Sequence, residues 1–232
     1  MTAARASRLA RVWVVLGLLA CVAATQALVE RYRPQVNDEA TAPFPLAAVV
    51  VRSFLGDARG LLADYLWLRV DEYQHRRRIV GGDLLRSDDE ALMPLVRIIT
   101  WCNPHFVDAY ALGGQWLAFH FNRPREAAAF YEEGIRNNPR SFDLLSGAAW
   151  VYWRFLHDYP TAAARAREAA RVAPDDLHRF QALWLGAHIL ADRGDQAGAI
   201  RLWREVGRLP GYERTAQAWI ARLERSPQGP PR

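Results

Sequence analysis

The sequence predicts an all-α protein, a stack of antiparallel helical hairpins that follows an N-terminal transmembrane helix. Three observations lead to this prediction. Pro104, Pro139, Pro174 and Pro210 recur at nearly constant spacing, segments with the apolar periodicity of helices fill the intervals between them, and residues 12–29 form an uncharged apolar run. With 51% hydrophobic residues and nine tryptophans among 232 residues, the chain has ample material for a buried core.

The net charge does not indicate a nucleic-acid partner. The formal charge is +5, but Arg5, Arg8 and Arg11 supply three positive charges before the apolar run, and later charges are mixed in sign. A nucleic-acid-binding domain carries a concentrated basic surface instead. All 30 basic residues are arginine and none is lysine, which we interpret as the GC-rich codon usage of a bacterium.

The N-terminal segment predicts a single membrane anchor. Residues 12–29, VWVVLGLLACVAATQALV, carry no charge, and a helix of about 20 residues spans a bilayer. Since three arginines precede the run, residues 1–11 are expected in the cytoplasm and the remainder on the periplasmic or external side of a bacterial inner membrane. Two alternatives remain open: a signal peptide cleaved near Ala24, and a lipoprotein lipidated at Cys21, which ends a lipobox-like LLAC sequence.

The segments between the anchor and the repeats are predicted as a linker and a first hairpin. Residues 30–46 carry several prolines among polar residues and are expected to be extended. Residues 47–103 are expected to form a divergent hairpin with an enlarged loop at Gly81-Gly82.

Residues 104–211 are predicted to contain three repeats. Their second helices align as FNRPREAAAFYEEGIRNNP, HDYPTAAARAREAARVAP and RGDQAGAIRLWREVGRLPG. Small residues recur seven positions apart, as in Ala127 and Gly134, so they lie on one helical face and let neighbouring helices approach closely. Asp143, Asp175 and Asp176 are placed to cap the first helices of the second and third repeats, or to lie in the first turns of those helices.

A period near 34 residues together with this small-residue pattern resembles the tetratricopeptide-repeat (TPR) family. The resemblance implies a right-handed superhelical stack, a TPR-like α-solenoid, that binds other proteins without catalysing a reaction. The sequence blocks 54–73 and 99–118 also resemble a group of membrane-anchored bacterial TPR proteins, which implies no biochemical activity.

The C-terminal residues are predicted to close the stack. Residues 212–225 form an amphipathic helix that shields its open end, and residues 226–232 form a disordered tail. The residues of this helix that are expected to be buried are Ala218, Ile220 and Leu223.

No catalytic or cofactor motif is present in the sequence. It has no glycine-rich phosphate loop and no GxSxG or haem-attachment motif, and none of its six histidines makes a close metal-ligand pair. Cys21 and Cys102 do not suffice for a disulfide framework or a thiolate cluster. Asp64, Asp71 and His75 would form a hydrolytic site only if they converged in a cleft, and ion pairing along one helix explains the carboxylates more simply. We therefore expect no enzymatic activity, metal, cofactor or small-molecule substrate.

The resemblance implies a partner-binding groove on the concave face, which TPR stacks build from their first helices. Eight residues correspond to that face: Asp108, Gln115, Asp143, Ser146, Trp150, Trp153, Arg154 and Phe180. Trp150 and Trp153 are adjacent on one helical face and, if exposed, would anchor a helix or an extended peptide, with Arg154 holding an acidic group. The alternative is that at least one of these tryptophans packs between hairpins.

These features predict a membrane-anchored scaffold that holds a protein or peptide partner during envelope assembly, secretion or export. The alternative function is a structural subunit of an integral membrane complex. Such a subunit would contact its partners through the anchor and the first long helix, which is predicted to begin at about Ala47. The groove would then be incidental.

Overall fold

The computed structural model describes residues 58–80 and 86–225, with side chains described for residues 58–72 and 92–225. Over these residues the regular structure is entirely helical and contains no strand. The all-α prediction is therefore confirmed.

Several predicted features lie outside the described residues. They are the anchor at 12–29 with Cys21, the linker at 30–46, the loop at Gly81-Gly82 and the tail at 226–232. Among the helices that are described, none combines the length and the apolar character needed to cross a bilayer.

Nine α-helices and one π-helical segment follow one another along the described residues. They are α1 (Ala58–Val80), α2 (Arg86–Cys102), α3 (Val107–Gln115), the π-helical segment (Trp116–His120), α4 (Pro124–Asn137), α5 (Phe142–Arg154), α6 (Tyr159–Val172), α7 (Asp176–Asp192), α8 (Gln196–Val206) and α9 (Glu213–Arg225). The recurring prolines lie just beyond the ends of α2, α4, α6 and α8. The proline period of the sequence is thus the period at which helices end.

Side-chain caps fix where four of these helices begin. Each capping oxygen accepts a hydrogen bond from the backbone N–H three residues further on, which satisfies a donor that a helix leaves without a partner. The caps are Ser141 for α5, Asp158 for α6, Asp175 for α7 and Asp195 for α8. Asp143 and Asp176 lie in the first turns of α5 and α7, where a negative charge favours the helix dipole.

Left-handed residues mark three equivalent turns. The backbone has a φ of 55° at Asn122, 54° at His157 and 89° at Gly194, and these residues precede α4, α6 and α8 respectively. A non-glycine residue in this region is strained, although asparagine tolerates it. The same chain reversal is therefore made three times with three different residue types.

Each described helix packs mainly against its neighbours in chain order, and α5 also packs against α3 and α7. Close approach depends on small residues. A Cβ added to Gly114 of α3 would lie 2.4 Å from the Tyr131 ring of α4, and one added to Gly147 of α5 would lie 2.5 Å from it. Tyr131 is buried and donates a hydrogen bond from its hydroxyl to the Ala111 carbonyl oxygen at 3.1 Å, so its side chain joins three helices.

Two partly buried ion pairs connect α4 to α2 and to α6. Arg97 of α2 lies 2.8 Å from Glu133, and Arg165 of α6 makes two hydrogen bonds to Glu132, with 2.9 Å between Nε and Oε1. A two-point contact between a guanidinium and a carboxylate fixes orientation as well as distance.

The predicted burial on the final helix α9 is confirmed for Leu223 and wrong for Ala218. Ala218 is exposed, so its predicted burial is wrong, whereas Ala216 and Leu223 are buried. These two residues are seven apart and therefore share one helical face. That face lies against α8, while Ile220 is half-buried beside it.

Candidate functional site

A cleft of about 280 Å³ opens between α5 and α7, the first helices of consecutive hairpins. The aromatic cleft, as we call it, is lined by Phe142, Ser146, Trp150, Phe180, Gln181, Trp184 and Leu185. The α5 residues are spaced four apart, and the α7 residues form two pairs four apart, so each helix contributes a single face. The cleft therefore lies where one face of α5 meets one face of α7.

Neighbouring rings hold the aromatic walls of the cleft in place. Phe142 packs edge-to-face with His178 at a centroid distance of 4.7 Å. Phe180 stacks on Tyr212, the residue before α9, at 4.1 Å. Side chains that are already immobilised lose little entropy when a ligand binds, so the cleft is preorganised.

An aromatic cluster continues from the cleft toward α9. Trp150 and Trp184 have centroids 6.2 Å apart, and Trp184 lies 4.2 Å from the ring of His188. His188 in turn lies 4.8 Å from Trp219, which stacks on the buried Trp203 at 5.3 Å. Of these tryptophans, Trp150 is the most exposed and presents 36% of its surface to solvent.

His188 is the titratable group nearest the centre of this cluster. Its Nδ1 lies 2.9 Å from the Trp184 carbonyl oxygen. Burial lowers the pKa of His188 below its ordinary value of 6.5, and Arg222 acts in the same direction, while the carbonyl contact and Asp192 oppose the shift. The neutral imidazole is therefore favoured, as suits a ring packed among indoles.

The polar character of the cleft is confined to two residues. Ser146 Oγ is buried and has no hydrogen-bond partner among the described residues, while Gln181 is exposed at the rim. No charged side chain of the described residues lines the cleft. The described residues that line the cleft therefore include no nucleophile with an adjacent base.

Three of the eight residues predicted for the concave face line the aromatic cleft: Ser146, Trp150 and Phe180. Trp153 does not, because it is only 6% exposed and its indole Nε1 donates a hydrogen bond of 2.9 Å to Asp192. Of the two interpretations of the tryptophan pair, packing between hairpins describes Trp153 and exposure describes Trp150.

The other four predicted residues are exposed but lie outside the lining of the cleft. They are Asp108, Gln115, Asp143 and Arg154. The guanidinium carbon of Arg154 lies 5.2 Å from the centroid of a Trp153 ring. At this distance a cation–π attraction holds the side chain against the indole.

Phe142, Gln181, Trp184 and Leu185 line the cleft without having been predicted. Trp184 was detectable, because it follows Trp150 by 34 residues and Phe180 by four, so both the repeat period and the helical face pointed to it. Phe142 was detectable by its helical face alone, because it precedes Ser146 by four residues.

Two other clusters of polar side chains among the described residues consist of groups that contact one another. Arg69 pairs with Glu72 at 3.2 Å on α1, and the Tyr110 hydroxyl contacts Glu133 at 3.1 Å and Asn137 at 3.2 Å. Within the described side chains, no group of three histidine, cysteine or carboxylate residues is arranged to hold a metal ion. The side chain of His75 lies outside them.

Comparison with known proteins assigns no family to the chain. No protein-family model matches it, and no curated protein matches it.

Proposed function

We propose that the chain is a TPR-like scaffold that binds a protein or peptide partner on the face formed by α3, α5 and α7. In this proposal three hairpins, α3 with α4, α5 with α6 and α7 with α8, form a right-handed superhelical stack that α9 closes. The order of the helix contacts and the recurring left-handed turns support this arrangement.

The observation that carries the proposal is the aromatic cleft on the first-helix face. A surface that combines a partly exposed tryptophan with rigid aromatic walls is typical of the anchoring pockets that dominate protein interfaces. A packed core would bury these rings, but Trp150 remains 36% exposed.

The proposal also places the scaffold at a membrane. Residues 12–29 would serve as a single-pass anchor in a bacterial inner membrane, with the hairpins on the periplasmic or external side, or Cys21 would carry a lipid instead. The uncharged run and the arginines that precede it support this location. The scaffold would then hold its partner during envelope assembly, secretion or export, without a cofactor, nucleic acid or small-molecule substrate.

Site-specific photo-crosslinking in the native membrane tests the groove. A photoreactive residue in place of Gln181, which is exposed and lines the cleft, is expected to capture a partner protein. The same probe in place of Arg167, which is exposed on α6 and lies outside the cleft, is expected to capture none.

Matched variants decide whether that capture depends on the cleft. Trp150→Ala combined with Trp184→Ala is expected to abolish the crosslink from position 181. Phe119 is an aromatic residue outside the cleft lining with 57% of its surface exposed. Phe119→Ala is therefore expected to leave the crosslink from position 181 intact. A crosslink that survives the double substitution in a folded protein, judged by its melting temperature, would rule out the groove.

A second candidate function is a structural subunit that contacts an integral membrane partner through its anchor and α1. It is favoured by three exposed apolar residues on α1: Leu61 at 73%, Tyr65 at 56% and Leu68 at 62%. Their spacing of four and three places them on one helical face. Apolar side chains aligned in this way commonly mark a contact surface.

Exchanging the anchor separates the two functions. Replacement of residues 12–29 by an unrelated transmembrane helix, together with Leu61→Ser and Leu68→Ser, is expected to leave capture at position 181 unchanged if the groove holds the partner. Loss of the complex in these variants, with capture insensitive to Trp184→Ala, would favour the structural subunit.

A further inference from the structure

The charge of the aromatic cleft restricts what it can hold. Among the described residues its lining contains five apolar side chains and two neutral polar ones, Ser146 and Gln181. A carboxylate or an ammonium group buried there would lose its hydration without gaining a counter-charge. The attraction of a cation to an aromatic face is weaker than that cost, so a neutral occupant is favoured.

The size of the cleft restricts the occupant further. Pockets for drug-sized ligands and cofactors span roughly 300–1,000 Å³, and this cleft measures about 280 Å³. It is therefore suited to one large side chain that projects from a longer partner. Its position between two helices on an open face leaves room for the backbone of such a partner outside.

Ser146 supplies an independent indication of a ligand. Its Oγ is buried in the wall of the cleft without a hydrogen-bond partner among the described residues. Buried hydroxyl groups are rarely left without a partner, because the lost hydration is not compensated. A serine hydroxyl moves by rotation about χ1, so a polar atom entering the cleft can reach it.

We propose that the aromatic cleft binds one tryptophan or tyrosine side chain of the partner, with the indole N–H or phenolic O–H hydrogen-bonded to Ser146 Oγ. This inference rests on the proposed scaffold function and specifies the chemistry of its partner. Tryptophan and tyrosine combine a flat apolar body with a single polar group, and the cleft offers apolar walls with a single buried hydroxyl. A phenylalanine or leucine side chain would contact the apolar walls of the cleft but would leave the Ser146 hydroxyl without a hydrogen-bond partner.

Titration with N-acetyl amino-acid amides tests this specificity without knowledge of the partner. The full-length chain in lipid nanodiscs is labelled with ¹⁵N at its indole nitrogens, and the signals of Trp150 and Trp184 are assigned from single Trp→Phe variants. The probes are the amides of N-acetyl-tryptophan, N-acetyl-tyrosine, N-acetyl-phenylalanine and N-acetyl-lysine. The first two are expected to bind about threefold to tenfold more tightly than the phenylalanine probe, as one hydrogen bond provides, and the lysine probe is expected to leave both signals unchanged.

Ser146→Ala separates the hydrogen bond from general packing. In this variant the affinities of the tryptophan and tyrosine probes are expected to fall to that of the phenylalanine probe. The affinity of the phenylalanine probe itself is expected to stay unchanged. Phe119→Ala, outside the cleft, is expected to change none of the affinities. An equal loss for all three aromatic probes in Ser146→Ala would overturn the assigned hydrogen bond.

The remaining outcomes distinguish this inference from the scaffold function. Binding of the lysine probe as tightly as the tryptophan probe, or no response to any probe while the crosslink at position 181 persists and requires Trp184, would refute the anchor chemistry and leave the groove standing. Absence of both the probe response and the cleft-dependent crosslink would refute both.

Discussion

The indole Nε1 of Trp153 donates a hydrogen bond of 2.9 Å to Oδ2 of Asp192. This bond joins α5 near its end to the last residue of α7. Trp153 is almost fully buried, and the polar atom of a buried indole needs a partner. This hydrogen bond therefore links α5 and α7, the two helices that form the aromatic cleft, at one end of the pair.

Trp153→Phe, which removes the donor but retains an aromatic ring, is expected to lower the free energy of unfolding by about 1–2 kcal/mol. The measurement is chemical denaturation of the purified chain. A double-mutant cycle with Asp192→Ala provides the control, since the two losses should not add if the residues act through one bond. Fully additive losses would contradict the assignment.

Gly147→Ala is expected to lower the free energy of unfolding by about 1–3 kcal/mol, the usual cost of overpacking a core. The added Cβ would lie 2.5 Å from the Tyr131 ring, and that ring is buried between three helices. Gly60→Ala is the matched control, because a Cβ there meets nothing within 4 Å. On α1 the control substitution is expected to raise stability by up to about 1 kcal/mol through helix propensity, and equal effects at the two positions would be inconsistent with close packing at Gly147.

Glu132→Gln is expected to destabilise the protein by about 1 kcal/mol at low salt, because Arg165 loses a two-point ionic contact that is partly shielded from water. The corresponding change in the exposed pair of Arg69 and Glu72, Glu72→Gln, should cost only a few tenths of that amount. Thermal melts at two salt concentrations measure both. A loss at Glu132 no larger than at Glu72 would mean that the pair between helices contributes little.

Acidification is expected to destabilise the aromatic cluster through His188. Because the folded-state pKa of His188 lies below its ordinary value of 6.5, the unfolded chain binds its proton first as the pH falls. The stabilising contribution is therefore fully present above about pH 6.5 and is lost as the pH falls below that value.

His188→Phe tests the origin of that pH dependence. The variant keeps a ring beside Trp184 and Trp219 but cannot titrate, so its melting temperature should vary less than that of the parent between pH 7.5 and pH 5. A profile parallel to that of the parent would assign the effect to other groups.

Much of the fold was predictable because helix ends depend on local chemistry. Proline lacks an N–H and disfavours helix before it, so the recurring prolines located the ends of α2, α4, α6 and α8. The capping role of Asp175 was likewise a local signal. Which alanine α9 buries was not predictable in this way, since the choice between Ala216 and Ala218 depends on how the helix lies against α8.

The cleft was predicted only in part, because exposure is a tertiary property. Trp150 and Trp153 lie three positions apart on α5, yet Trp153 is buried and bonded to Asp192, 39 positions further along the chain, whereas Trp150 is exposed. The π-helical segment Trp116–His120 was also unpredicted. A widened turn of this kind depends on packing and has no reliable sequence signature.

The chain-order packing of the described helices has a consequence for how the protein reaches its native state. Each helix finds most of its partners within the next one or two helices, so few long loops must close before apolar surface is buried. Chains with such short-range connectivity fold rapidly. A polypeptide delivered N-terminus first would complete α3 and α4 before α7 emerges, and the aromatic cleft, which requires both α5 and α7, would be among the later surfaces to form.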